Sequence, residues 1–293
     1  MKKNINTNEF KITTPIQLKD IATTYHLDAD KDEIEDELEG VCKDLAKIQN
    51  AMYAHGKYAV LICIQGMDTA GKDSLIREVF KALNARGVVV HSFKVPTEIE
   101  LKHDYLWRHY LALPARGKFG VFNRTHYENV LVTRVHPEYI MGENLPDVSA
   151  VSDVNDSFWD KRFKQINNFE KHIAENGTII FKFFLHLSKD EQKSRLLRRL
   201  DKPEKNWKFS LGDLKERELW DRYQDCYEEA LNRTSKAYAP WYAIPADDKP
   251  TARYILAKTL LDTLKMYKDI KEPEMDEDMK ANLHLYREQL END

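Results

Sequence analysis

The 293-residue sequence predicts an α/β fold in which a mainly parallel sheet carries helices on both faces. Three observations predict it. Short, unbroken apolar runs such as Tyr58 to Ile64 have the composition of strands buried on both sides. Helical patterns of about 10 to 20 residues alternate with those runs. Between the first run and its helix lies a glycine-containing loop, Gly66 to Ser74, at the strand-to-helix junction where α/β folds hold phosphate.

The elements follow in order. Residues 1–29 are polar and weakly periodic and form an N-terminal arm. The acidic cluster Asp28 to Glu39 opens a long helix through Leu45, Ile48 and Met52, and Gly56 ends it. This starts the main domain, which runs over 30–270. Strand Tyr58 to Ile64 is followed by the loop and a helix from Leu75 to Ala85, then by a second strand, Val88 to Phe93. Thr97 and Glu100 make a capping box for one helix reaching about Leu113. Phe119 to Phe122 is the third strand. A loop with Pro and Asp, Pro137 to Asp153, leads to a helix over Asp156 to Glu175 and a strand over Thr178 to Leu187. Ser188 and Glu191 cap the next helix, which opens a lid at about 189–215. The acidic segment 271–293 forms a peripheral helix or a solvated surface segment.

Bulk composition limits the functions available. With 42% hydrophobic residues the chain can bury a core, and its length fits one domain with insertions. A net charge of -4 is not that of a protein that coats nucleic acid or an anionic membrane, so neither is expected as a partner and any anion site must be local. Cys42, Cys63 and Cys226 match neither a disulfide framework nor a zinc site, which suits a reducing cytoplasm. The first ten residues lack the apolar stretch of a secretion signal, and no run approaches the roughly 18 apolar residues of a membrane span. The expected location is cytoplasmic.

The loop itself reads Gly66, Met67, Asp68, Thr69, Ala70, Gly71, Lys72, Asp73, Ser74, a GxxxxGK pattern. Its backbone N–H groups can wrap a phosphate while Lys72 neutralises the charge. The usual hydroxyl after the lysine, a magnesium ligand, is Asp73 here, with Ser74 one place later. Asp68 is then the carboxylate available for Mg²⁺, unless it only caps the turn. At the end of the third strand stand Asn123, Arg124 and Glu128, at the sheet edge where ligands of such folds bind. Arg124 can bridge the oxygens of a transferring phosphoryl group, and Glu128 can serve as a second metal carboxylate; each is otherwise a cap or a surface pair.

The run Lys189 to Lys208 holds eight basic residues against four acidic ones, a focused positive patch in an acidic protein. Arg195, Arg198 and Arg199, spaced i, i+3, i+4, share one helix face and can present several guanidinium forks to a row of phosphates. The plain alternative is a solvated face. Trp207, Trp220, Tyr223 and Trp241 are core residues or platforms for a base.

Three segments, IQGMDTAGKDSLIREVF, FKVPTEIELKHDYLWRHYLALPARGKFGVFNRTHYENVLVTRVHPE and LSKDEQKSRLLRRLDKPEKNWKFSLGDLKERELWDRY, closely resemble the polyphosphate kinase 2 family, and the resemblance extends over about residues 30–268. It implies a P-loop kinase-like core of the thymidylate-kinase type with a helical lid, Mg²⁺ as cofactor, and transfer of a terminal phosphoryl group from inorganic polyphosphate to AMP or ADP. It places Asp68 and Lys72 on the family's phosphate-loop catalytic positions and Arg124 on its second-motif arginine. It places Arg195, Arg199 and Asp213 on the lid, beside which Arg198 and Lys208 supply further cations. Many members carry Asp at the position of Asn123. The pair Asn123 and Glu128 resembles the subgroup acting on both AMP and ADP, and the family suggests a homo-oligomer. The competing expectations are an ATP-dependent nucleoside-monophosphate kinase and a non-catalytic nucleotide-binding protein.

Overall fold

The computed structural model describes residues 5–293, so the first four residues of the expected arm lie outside the described residues. Helix α1 (Lys31–His55) starts on a capping box: the Asp30 carboxylate accepts from the Glu33 backbone N–H at 2.9 Å, and the Glu33 side chain accepts from the Asp30 N–H at 3.2 Å. It ends at Gly56 in the left-handed conformation. Strand β1 (Ala59–Gly66) is buried at all eight positions, and α2 (Lys72–Phe80) follows the phosphate loop. The next strand, β2 (Val88–Ser92), leads into two short helices, α3 (Glu98–Leu101) and α4 (Trp107–Leu111). The single helix expected up to Leu113 is therefore broken. The capping box on Thr97 forms, but the Asp104 side chain accepts from the Leu106 N–H at 2.8 Å and diverts the backbone from the helical ladder.

Strand β3 (Phe119–Asn123), a 3-10 turn over His126–Val130 and α5 (Val132–Val135) precede the long α6 (Asp156–Glu175) and β4 (Thr178–His186). The stretch expected to form the lid folds as α7 (Lys189–Asp201), α8 (Pro203–Asn206) and α9 (Leu211–Glu218). Helix α10 (Trp220–Thr234), strand β5 (Trp241–Pro245) and α11 (Lys249–Leu264) complete the core. These last three have no counterpart in the elements read from the sequence. The exposed α12 (Glu277–Ala281) and α13 (Leu283–Asn292) end the chain.

The five strands are all parallel, in the order β2-β3-β1-β4-β5. Every strand therefore delivers its C-terminal end to the same edge, where α2, α7 and α11 begin. Alternation along each strand decides what faces what. Val60, Ile62 and Ile64 of β1, with Phe181 and Phe183 of β4, pack beneath α1, α2 and α11. Leu61 and Cys63 face the other way, toward α6, as does Phe184, which packs with α6 and α10. Lys182 shares that second parity and is buried.

The loop leaves the sheet through Gly66, where an added Cβ would stand 2.9 Å from the backbone oxygen of Leu185 on β4. Gly66→Ala must therefore push β4 and the loop apart. A cost of about 2 kcal/mol is expected, a fall of several degrees in melting temperature for a chain of this size. Thermal unfolding of the variant checks this, and an unchanged melting temperature would show that the close approach carries no strain.

Candidate active site

A cavity of about 730 Å³ opens at the C-terminal edge of the sheet. Its walls hold eleven Lys or Arg side chains and two Asp, so it selects anions of high charge. The phosphate loop forms its floor. Gly71, at φ +102°, and Thr69, at φ +64°, turn the loop through left-handed conformations before α2 begins. Lys72 curls back over it, donating to the carbonyls of Gly66 at 2.7 Å and Met67 at 3.2 Å. Burial, with Arg124 nearby, draws the Lys72 ammonium down to about 8.

Asp73 explains the departure from the usual loop. Its carboxylate accepts from the amide of Asn123 at 2.6 Å, joining the loop to the end of β3. An Asp at 123 would set two carboxylates side by side, whereas Asn supplies the donor. The Asn123 carbonyl oxygen is buried and has no hydrogen-bond partner. Arg124 adopts a left-handed φ of +59° and its half-exposed side chain lines the cavity. Glu128 pairs with Arg124 at 3.8 Å and lies outside the cavity lining.

Helix α7 lies along the loop by one face. Gln192 donates to the Asp68 carbonyl at 3.1 Å. Arg195, 5% exposed, spends every N–H on the protein: Nε on Glu191, one terminal nitrogen on the carbonyls of Thr69 and Ala70, the other on those of Ala246 and Asp247, at 2.7 to 3.0 Å. The expected row of three free guanidinium forks is thus not what forms. Arg195 is a brace under the loop, because the carbonyls of the loop and of the β5–α11 turn converge on it. Arg199, one turn on, donates to Asp68 at 3.2 Å, to Asp213 at 3.0 Å and to the Lys208 carbonyl at 3.3 Å, linking loop and lid. Burial and the nearby Asp68 raise the Asp213 carboxyl above its ordinary value even so. Arg198 lines the cavity and makes no hydrogen bond or ion pair among the described residues.

Several lining cations escaped the sequence reading: Arg77 of α2, Lys94, and Lys249 and Arg253 of α11. Lys249 and Arg253 sit one helical turn apart just after the Asp248 cap, and only the sheet order reveals that this turn abuts α7. Lys249, like Lys72, is drawn down to about 8, by burial and then by Arg195, Arg198 and Arg253. Of the aromatic candidates, Trp220, Tyr223 and Trp241 are core, while Trp207 is 78% exposed at the lid tip.

Among the described residues no group of three or more Asp, Glu, His or Cys could hold a metal unaided, and no helix is long and apolar enough to cross a membrane. The Asp68 carboxylate and the unpartnered Asn123 oxygen fit a hard divalent cation only if substrate phosphates complete the shell.

A phosphate loop at the C-terminal edge of a parallel sheet, faced by an arginine and roofed by a basic helical lid, defines the class as a P-loop phosphotransferase. A family model described as Polyphosphate kinase 2 (PPK2) matches residues 28–272, and the chain belongs to that family. It is 48% identical over 246 residues to an ADP-polyphosphate phosphotransferase of Rhodopseudomonas palustris, a match covering 84% of each chain. It is 49% identical over 220 residues to an AMP/ADP-polyphosphate phosphotransferase of Meiothermus ruber, covering 75% of this chain and 77% of that one. The crystal structure of polyphosphate kinase 2 from Arthrobacter aurescens superposes with a TM-score of 0.89 at 35% identity, over 98% of this chain and 99% of the other.

The lowered Lys72 gives a signed pH dependence. Below about 8 the free protein holds the Lys72 ammonium, and above it the charge is lost. Bound phosphate restores the charge, so kcat/KM is expected to fall as pH rises through about 8 while kcat stays level to higher pH. Lys249 titrates in the same range, and Lys249→Arg, which keeps its charge throughout, isolates the Lys72 limb. A kcat/KM profile flat to pH 10 in both proteins, roughly the free lysine value, would refute the assignment.

Proposed function

We propose that the chain transfers the terminal phosphoryl group of inorganic polyphosphate to AMP and ADP, reversibly and with Mg²⁺. The observation that carries this is the reach of the cationic cavity. Beyond the phosphate loop, Arg77, Arg198, Lys249 and Arg253 continue the positive lining along α2, α7 and α11, farther than one terminal phosphate requires. A row of such cations suits a polyanion carrying about one charge per phosphate. The names of the relatives from R. palustris and M. ruber support the same donor and acceptors.

In this reading the amides from Asp68 to Ser74 cradle the transferring phosphoryl group and Lys72 leaves the loop carbonyls to meet its oxygens. Arg124 approaches from the β3 side, held by Glu128, and offsets charge on the oxygens in flight. A terminal phosphate oxygen of the nucleotide attacks the terminal phosphorus of the donor in line, and the P–O bond to the chain breaks, leaving polyphosphate one unit shorter. Asp68 and the Asn123 oxygen would hold Mg²⁺, which supplies charge neutralisation on the phosphate oxygens. Glu128, paired with Arg124, acts as its orienting carboxylate rather than as a metal ligand. A cytoplasmic location and a homo-oligomeric state fit this reading, and the three cysteines are free thiols.

Incubation with Mg²⁺, polyphosphate and AMP or ADP, without ATP, tests the function directly. ADP and ATP should form from AMP, and ATP from ADP. No product unless ATP is added would replace the reading with an ATP-dependent nucleotide kinase.

The two lid arginines should part ways in kinetics. Arg198→Ala removes a free cation, so KM for long polyphosphate should rise several-fold more than KM for the nucleotide, and the dependence on salt should flatten. Arg195→Ala strands the carbonyls it braces and should lower kcat by about a hundredfold together with thermal stability. Equal KM for short and long donors in wild type and Arg198→Ala would remove α7 from the polyphosphate track.

A further inference from the structure

The second motif is anchored by charges that never reach the cavity. Beneath it, His126, Tyr127, Glu170 of α6 and Lys182 of β4 are all wholly buried. One Glu170 oxygen accepts from the Tyr127 hydroxyl at 2.7 Å and pairs with the His126 Nε2 at 3.1 Å. The other accepts from Lys182 at 2.6 Å. The Lys182 ammonium also donates to the Tyr127 hydroxyl and to the carbonyl of Thr234 at the end of α10, both at 2.8 Å, so its three hydrogens are used. Burial would push the Glu170 carboxyl up, but Lys182 and His126 outweigh it and keep it ionised.

We infer that this buried quartet is a positioning network for Arg124. Three observations carry the inference. Arg124 is held at φ +59°, a conformation that a residue with a side chain adopts only when its surroundings over-determine it. The quartet supplies that determination from the C-terminal side, because it grips the second and third residues after Arg124. At Arg124 itself the backbone N–H donates to the Ile64 carbonyl of β1 at 3.2 Å, and directly after it the buried Gln65 amide donates to the Thr125 hydroxyl at 3.1 Å. An apolar quartet of like volume would fill this space at lower desolvation cost, so the ionic one is explained by the geometry it imposes. The quartet thus ties β4, α6 and α10 to the backbone that aims a guanidinium into the cavity, and it contacts no substrate itself. Glu128, two residues beyond His126, is aimed by the same turn.

The inference rests on Arg124 acting on the transferring phosphoryl group, and the test separates the two. Glu170→Gln/Lys182→Met removes both buried charges together, and Tyr127→Phe removes only the shared hydroxyl while keeping the charges. In each, kcat should fall about tenfold while KM for polyphosphate stays within about twofold, since the cations of α7 and α11 are untouched. The decisive readout is a cycle with Arg124→Lys. If the quartet acts through Arg124, its substitution should cost little further kcat once Arg124 is replaced. Full additivity of the two losses, or a lowered melting temperature with kcat unchanged, would overturn the proposal and leave the quartet a stability element. Arg124→Lys with wild-type kcat would remove the role of Arg124 itself, and the positioning proposal with it. Where the double variant does not fold, Tyr127→Phe carries the same cycle.

Discussion

Much of the site depends on Arg195. Five N–H donors meet five acceptors drawn from its own helix, the phosphate loop and the turn between β5 and α11. Loop carbonyls point away from the amides that would bind phosphate, and in a buried setting each needs a donor. The guanidinium supplies them in one rigid plane, so loop, lid root and α11 are aligned by a single side chain. A lysine here could reach at most three of those acceptors, and only as a point charge. Gln192 and Arg199, on the same face of α7, extend the contact to Asp68 and Asp213.

Charge is sorted by depth. Of the cations that line the cavity, Arg198 is free to meet phosphate and Lys72 rests on two carbonyls, while Arg195 and Arg199 are held by the protein. The buried pair of Glu170 and Lys182 is closed to solvent and fully hydrogen-bonded. Breaking such a pair at one end strands an ion, at a cost of about 3 to 5 kcal/mol, whereas the lining cations lose only their mutual repulsion when a polyanion arrives. The protein as a whole carries a charge of -4, so the positive field of the cavity is a local product of how the chain folds.

Between these regions stands the contact of Asp73 with Asn123. It sets a carboxylate and an amide at the two positions where a hydroxyl and a carboxylate were expected, so one hydrogen bond from Asn123 to Asp73 joins β3 to the loop. The amide oxygen is left without a partner, on a residue that lines the cavity.

The sequence by itself determined the parallel α/β class, the phosphate loop and its flanking strand and helix, the capping box at Thr97, and the capped start of α7. These are legible because each is written in a few adjacent residues whose spacing matches a local geometry. Helices α10 and α11 and strand β5 were not read; α11 is apolar on most sides and so shows no clear period. Only the tertiary structure decided that Arg195 braces the loop while Arg198, three residues on, faces the cavity. It also decided that Lys249 and Arg253 join a site whose loop lies nearly 180 residues away in sequence, and that Lys182 pairs with Glu170. The reason is physical: what a long cationic side chain does depends on which acceptors surround its tip, and those acceptors are brought there by sheet order and strand parity rather than by neighbours in the chain.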